Sequence, residues 1–388
     1  MKVQEYLKAN NLQKLQDELK IKVREYPKLC VLNYDQCFSD KHNPIVQECR
    51  ALILEKDTWK VVARSFDRFF NYGESINDKD FPVDKSLVQM KLDGSIISVY
   101  NYEGKWNVAT RSMAMGEGET PMDLTFRELF DKAVERTKVW EYLNEDIGFT
   151  KDVTYVFELT SPMNRIVTPY KDTTVTLIGA RNNITGDELL SNGLDIVAEY
   201  MGVNRPKSFK CNSLNDVIEN TKKLEVLEEG YVLVYERNKG SHWRIKVKSE
   251  RYLAIAHLRN NGVISAKRLL LLIVMNEQSE YCNYFPEDIK YIDFVSGIWT
   301  AILNNIALIH EKNCNIEVQK DYALAIMKEV NNPWEGGILF DMRKKKITLQ
   351  EVVKSLDANG VTRLAKIIKL KERMAKEFGI KMEEEEDK

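Results

Sequence analysis

The sequence predicts an α+β body of antiparallel sheets with inserted helices, followed by an all-helical region. Three observations carry this expectation. Short apolar runs of β type, separated by turns, recur from about residue 29 to about 250. Apolar residues at helical spacing interrupt those runs in a few places only. After residue 252 the strand pattern stops, and the apolar repeats that remain have helical spacing. Strand runs with helices set among them are the pattern of an α+β fold. The expected domains are 1–252 and 253–388.

Residues 1–20 read as an amphipathic helix, because Val3, Leu7, Leu12, Leu15 and Leu19 recur at helical spacing. The strand candidates are Ala51–Leu54, Lys60–Ser65, Leu87–Lys91, Ile96–Asn101, Trp106–Thr110, Thr154–Leu159, Thr174–Arg181, Gly230–Tyr235 and Trp243–Lys248. A helix is expected over 121–144, where Met122, Phe126, Leu129 and Phe130 form an apolar face, with others over 185–201 and 213–224. Beyond the boundary, Tyr252–Leu258, Ser265–Val274, Glu287–His310, Ile316–Val330 and Leu349–Phe378 read as helices. Asn332-Pro333-Trp334-Glu335-Gly336-Gly337 reads as a break between two of them.

Bulk properties exclude several classes. Hydrophobic content of 44% and charged content of 30% are ordinary for a globular chain. No uninterrupted apolar run approaches the roughly 18 residues of a membrane span, and Met1-Lys2-Val3-Gln4-Glu5 does not open a signal peptide. The expectation is a cytoplasmic monomer with no membrane partner. Six cysteines without a C-x-x-C pair read as reduced thiols. Cys49, beside Arg50, reads as a buried inert thiol. Four histidines, none at metal-ligand spacing, argue against histidine or zinc chemistry.

A net charge of −2 argues against non-specific coating of nucleic acid. From Arg343 to Lys376, however, eleven Lys/Arg stand against three Asp/Glu. That segment is either a phosphate-contacting surface or a solvated helix face. The acidic run Glu383-Glu384-Glu385-Glu386-Asp387 reads as a disordered tail.

Chemistry concentrates around Lys91-Leu92-Asp93-Gly94, set between two β-type runs. A lysine flanked by Met90 and Leu92 is expected to be partly buried. Burial disfavours the ammonium, lowers its pKa and makes the amine a usable nucleophile. Taken alone, the same tetrapeptide fits a hairpin whose lysine reaches solvent. Arg244-Ile245-Lys246-Val247-Lys248 adds a second signal. On a strand Arg244, Lys246 and Lys248 share one face, with Ile245 and Val247 behind them. Like charges crowded on one face repel, and a polyanion such as a triphosphate relieves them. A wet basic face is the plainer alternative. Glu158 and Glu229 sit in or before apolar runs, where a carboxylate needs a partner. Lys91, a ribose hydroxyl or a divalent metal would each serve.

In this order the motifs resemble the covalent nucleotidyltransferase superfamily of ATP-dependent ligases and capping enzymes. Lys91-Leu92-Asp93-Gly94, Phe157-Glu158-Leu159, Val175-Thr176-Leu177-Ile178, Glu229-Gly230 and Lys246-Val247-Lys248 match its successive motifs over about 48–252. Within it the chain is similar to the phage RNA ligase 1 family of T-even type. That likeness is carried by Glu48-Cys49-Arg50, Arg68-Phe69-Phe70-Asn71, Pro162-Met163-Asn164-Arg165-Ile166-Val167 and Lys246-Val247-Lys248-Ser249 with Tyr252. Arg68 stands where that family has lysine, which keeps the charge and changes the geometry.

The resemblance implies a nucleotidyltransferase domain, an ATP-grasp-like ligase fold, ahead of the helical region. It implies ATP as co-substrate with Mg2+ or Mn2+. Lys91 would take AMP from ATP. Lys246 and Lys248 would neutralise the α-phosphate, and Arg50 and Arg68 would hold phosphates. Glu158 would hold the ribose or orient Lys91. Glu229 would position the metal. Phe70 would pack on the nucleotide, Ile178 and Val232 would wall the adenine, and the backbone at Gln89-Met90 would read the base. Arg111 would stand for a further phosphate-contacting lysine of the family. AMP would pass to an RNA 5′-phosphate, and a 3′-hydroxyl would then displace it. The implied partner is RNA with such ends, nicked tRNA among them, in the cytoplasm of an infected bacterium. The residue-level likeness fades beyond 253, where helices in place of a β-barrel distinguish the chain from DNA ligases and capping enzymes. A non-catalytic RNA-binding protein with this fold is the remaining alternative.

Overall fold

The computed structural model describes residues 1–35, 38–118, 120, 124–145, 150–249, 251–253, 264–275 and 278–379. It divides into two compact units, Met1–Ala254 and Ile255–Lys388. The expected helix Tyr252–Leu258 lies outside the described residues beyond 253, as do residues 121–123 and the acidic tail.

The first unit opens on two helices, α1 (Lys2–Ala9) and α2 (Leu12–Leu19), where one was expected. Asn11 separates them, because its side chain caps α2 by accepting from Lys14 N. Strands β1 (Ile21–Glu25) and β2 (Leu29–Tyr34) follow, then α3 (Pro44–Glu48), β3 (Arg50–Glu55) and β4 (Val61–Ala63). The four strands form one antiparallel sheet in the order β1-β2-β3-β4. Val3, Leu7 and Leu15 pack with Cys30, Leu32, Leu52 and Leu54 beneath the helices. β1 and β2 are not among the expected strands; β1 is short and, although Ile21 and Val23 alternate with Lys22 and Arg24, it buries only Ile21.

Short β5 (Phe70–Asn71) precedes β6 (Leu87–Lys91), β7 (Ser95–Tyr102) and β8 (Lys105–Ala109). Helices α4 (Phe126–Val134) and α5 (Val139–Asn144) replace the single helix expected over 121–144. A Thr125/Glu128 capping box fixes the start of α4. Strands β9 (Val153–Thr160) and β10 (Thr174–Asn182) complete a second antiparallel sheet, in the order β10-β9-β7-β8. Its core of Val99, Phe130, Phe157, Leu177 and Met201 lies between sheet and helices.

Helix α6 (Ser191–Met201) begins six residues later than expected, because Glu188 is bridged to Arg181 instead. After β11 (Ser208–Phe209) and α7 (Leu214–Lys222) come β12 (Gly230–Tyr235) and β13 (Trp243–Lys248). The third sheet runs β11-β6-β12-β13-β5. All its pairs are antiparallel except β13 with β5, which is parallel.

The second unit is helical: α8 (Ala266–Val274), α9 (Gln278–Tyr284), α10 (Ile289–Asn313), α11 (Gln319–Ile326), α12 (Pro333–Lys345), α13 (Leu349–Lys354), α14 (Ala358–Ile367) and α15 (Leu370–Phe378). The expected break at 332–337 is instead the start of α12. Asn332 caps Trp334 N and Glu335 N, and Pro333 occupies the first turn, where its missing N–H costs nothing. The region around α10 is long and apolar enough to cross a membrane, with an 18-residue window of mean hydropathy 1.5. Counting uninterrupted runs overlooked it. Within this unit the helix buries Ile292, Val295, Trp299, Ile302, Ile306 and Ile309, the stripe of a core helix. The basic segment is partly structural. Arg343 donates to Ile316 O and Glu317 O at 2.7 Å each, and Lys345 pairs with Asp341 at 3.1 Å.

Candidate active site

Strand register builds the site. Lys91 at the end of β6 lies opposite Gly230 on β12, which lies opposite Lys248 on β13. Two residues back, Gln89, Val232 and Lys246 line up in the same way. Side chains alternate along strands, so these residues share one face. The other face, with Val88, Leu233, Ile245 and Val247, is buried in the core under α7.

Glycines permit the close approach of the strands. A Cβ on Gly94 would lie 2.4 Å from Leu159 O, and one on Gly230 (φ +135°) would lie 2.3 Å from Val247 O. Gly94 N donates to Glu158 Oε1 at 3.0 Å, which holds that carboxylate beside the lysine's loop. Asp93 is not an exposed turn residue. Its Oδ2 accepts from Val167 N at 2.8 Å and Thr168 N at 2.7 Å, and its Oδ1 accepts from Tyr252 OH at 2.7 Å. The plain hairpin reading therefore fails: Asp93 is a buried tie between distant segments.

A cavity of about 210 Å³ opens on this face. Of the residues expected to form a site, Arg50, Met90, Lys91, Glu158, Ile178, Glu229, Val232, Lys246 and Lys248 line it. Ile178 reaches it through a β-bulge, since register skips from Leu177 to Gly179. Three expected residues do not line it. Phe70 is stacked by His42 and overlain by Arg68, Arg68 lies between that ring and Glu74, and Arg111 sits exposed over the Tyr34 ring. Phe66, Phe69, Leu92, Ile96 and Pro206 line the cavity instead. Phe66 and Phe69 flank Asp67 and Arg68 in an apolar–polar run that could have flagged them; nothing local marks Pro206. The Met90 N–H donates to Lys207 O at 2.9 Å, which ties the end of β6 to the segment before β11.

The electrostatics correct one expectation. Lys91 Nζ donates to Glu229 Oε2 at 2.6 Å, and Lys248 Nζ lies 2.7 Å from Glu229 Oε1. Burial lowers the Lys91 pKa, but Glu229, Glu158 and Asp93 more than reverse this, so it stands above the ordinary lysine value. The amine is an ammonium in this state. Burial favours the neutral form of Glu229, yet Lys91 and Lys248 hold its carboxyl below the usual range. Glu158 is pushed up to about 7 by burial, with Glu229 and Asp93 adding to it against Lys91.

Lys246 carries the opposite shift. Burial and the charges of Arg50, Lys91, Lys248 and Arg68 lower it to about 7. Its ammonium position lies over Phe69 at 4.6 Å, with Arg50 over the same ring at 5.0 Å. Arg50 Nη1 and Arg68 Nη1 are buried without a hydrogen-bond partner among the described residues. Buried donors are rarely left so, and an anion would satisfy them. Arg244 does not join this group as a free cation. Glu188 takes both its terminal nitrogens, at 3.0 and 2.5 Å, and its guanidinium covers the Phe66 ring at 4.3 Å.

Among the described residues no three His, Cys, Asp or Glu side chains converge to cage a metal. Glu229 and Glu158 are hard oxygen donors, which suit a divalent cation arriving with a polyphosphate better than a resident one.

Residues 48–252, more than half of the chain, match the RNA ligase family profile of T4 type. A protein of Autographa californica nuclear polyhedrosis virus, named as a bifunctional polynucleotide kinase/RNA ligase, is 34% identical over 300 residues. The match covers 73% of this chain and 42% of that protein. An RNA ligase of Rhodothermus phage RM378 is 26% identical, over 66% of this chain and 70% of its own length. This chain thus spans less than half of the first relative. Among solved structures, an archaeal ATP-dependent RNA ligase superposes with a TM-score of 0.46 at 13% identity, covering 79% of this chain and 83% of its own.

Proposed function

The chain belongs to the RNA ligase family, and on that premise we propose that it joins RNA 5′-phosphate and 3′-hydroxyl ends at the expense of ATP. The observation that carries this reading is the convergence of Lys91, Glu229, Lys246, Lys248 and the orphaned Arg50 donor on one cavity of about 210 Å³. A buried amine beside uncompensated cations suits covalent capture of a phosphoryl group.

Lys91 Nζ, once deprotonated, attacks the α-phosphorus of ATP. The P–N bond forms, the bond to the β-phosphate oxygen breaks, and pyrophosphate leaves. An RNA 5′-phosphate oxygen then displaces the lysine, giving an RNA-adenylate. The 3′-hydroxyl attacks last, and AMP leaves. Lys246, Lys248 and Arg50 face the charge that builds on the phosphates. Ile178, Val232 and Phe66 offer apolar walls to the base. A divalent cation brought in with the phosphates would be held by Glu229 and would neutralise phosphate charge.

The helical unit is proposed to select the RNA, nicked tRNA included, using exposed cations such as Lys344, Lys346, Arg363 and Arg373. Incubation with α-phosphate-labelled ATP and Mg2+, then peptide mapping, tests the first step. Acid-labile label on Lys91, absent in Lys91→Ala, is expected. Label retained by Lys91→Ala would sink the assignment. That variant should still seal a pre-adenylated RNA.

A further inference from the structure

The loop between β2 and α3 presents two exposed rings, Phe38 (75% exposed) and His42. His42 does not dangle. Its imidazole lies on the Phe70 ring with centroids 5.0 Å apart and planes 17° from parallel. The Arg68 guanidinium covers Phe70 at 4.1 Å and reaches the Tyr34 ring at 5.6 Å, and Arg111 covers Tyr34 at 4.9 Å. This ladder starts beside the cavity, because β5 pairs with β13 and sets Phe70 opposite Ile245 and Asn71 opposite the cavity-lining Lys246. No hydrogen bond fixes the His42 ring nitrogens among the described residues, so stacking sets the ring's orientation.

An aliphatic side chain would shield Phe70 as well as a histidine does. An exposed ring beside the Arg68 guanidinium, whose Nη1 has no hydrogen-bond partner among the described residues, is instead what a nucleobase needs. A strand whose 5′-phosphate meets Arg50, Arg68 and Lys246 has its first base within one nucleotide of those cations. We propose that His42, laid on Phe70, is the stacking plate for the base of the RNA's 5′-terminal nucleotide. Phe38 and Lys41 on the same loop serve the nucleotide that follows. The proposal rests on the ligase reading above.

The test is single-turnover discharge of the lysyl-AMP form of the full chain by a 5′-phosphorylated oligoribonucleotide at several concentrations. His42→Ala should raise the half-saturating RNA concentration about tenfold, as loss of one base–ring stack does, with little change in the maximal rate. His42→Phe should restore it. An RNA lacking its 5′-terminal base should half-saturate alike with wild type and His42→Ala. Equal half-saturation by normal RNA in wild type and His42→Ala overturns the plate, as does an equal His42→Ala defect on both RNAs. Phe38→Ala, which leaves the Phe70 stack untouched, should weaken binding of a dinucleotide or longer strand and not of a mononucleotide 3′,5′-bisphosphate. Failure of the wild-type chain to form lysyl-AMP would overturn the ligase reading, and this proposal with it.

Discussion

Lys91 and Glu229 are 138 positions apart in sequence and 2.6 Å apart in space. Their ion pair, with Glu158 and Asp93 nearby, holds the Lys91 pKa above the ordinary lysine value, although burial by itself lowers it. Neighbouring charge outweighs desolvation here, so activation of the nucleophile requires the pair to be loosened.

That pair predicts a pH profile. In nucleotide-free protein, reaction of Lys91 with an amine reagent should have its midpoint above that of an ordinary lysine. Glu229→Gln removes the main opposing charge and should move the midpoint to lower pH. Peptide-resolved labelling against pH measures both. An unmoved midpoint would show that Glu229 does not control the amine.

Lys246 predicts a gain in stability at the expense of function. Its folded pKa of about 7 lies below the ordinary 10.5. The unfolded chain therefore binds a proton that the folded chain refuses between those values. The resulting destabilisation is complete below about pH 7 and fades as pH rises toward 10.5. Lys246→Met should stabilise the ligand-free protein by roughly 1–3 kcal/mol at neutral pH, and by less at pH 10. Urea midpoints at the two pH values check the sign. The same variant should lose most self-adenylation.

Glu188 predicts a cost that a second substitution repairs. Glu188→Ala leaves the Arg244 guanidinium buried without its partner, a loss of about 3–5 kcal/mol. Glu188→Leu combined with Arg244→Met should recover most of that in chemical denaturation. If the double variant is no more stable than Glu188→Ala, charge burial is not the cause.

Gly179 predicts a change in nucleotide affinity. A Cβ there would lie 2.6 Å from the Phe66 ring, which Arg244 covers at 4.3 Å. Gly179→Ala should therefore press Phe66 toward the cavity. The half-saturating ATP concentration for self-adenylation should rise about tenfold, in line with the ~1–3 kcal/mol cost of overpacking. An unchanged value would mean that the ring yields in another direction.

Local chemistry determined much of this protein. The alternation of Arg244 to Lys248, the apolar runs around Lys91 and Glu158, and the loss of strands after 252 lie in windows of a few residues. Short-range periodicity dictates which face a side chain takes, so the sequence revealed the α+β order and most of the cavity lining. Only the tertiary structure decided the rest. Strand register put Lys91, Gly230 and Lys248 in line, and that register depends on pairing across more than a hundred residues. It also paired Arg244 with Glu188, turned Phe70 away, and brought Phe66 and Phe69 to the cavity. A pKa depends on every charge within reach after folding. That is why the Lys91 pKa, expected to be lowered by burial, is raised, and why Lys246 carries the downward shift.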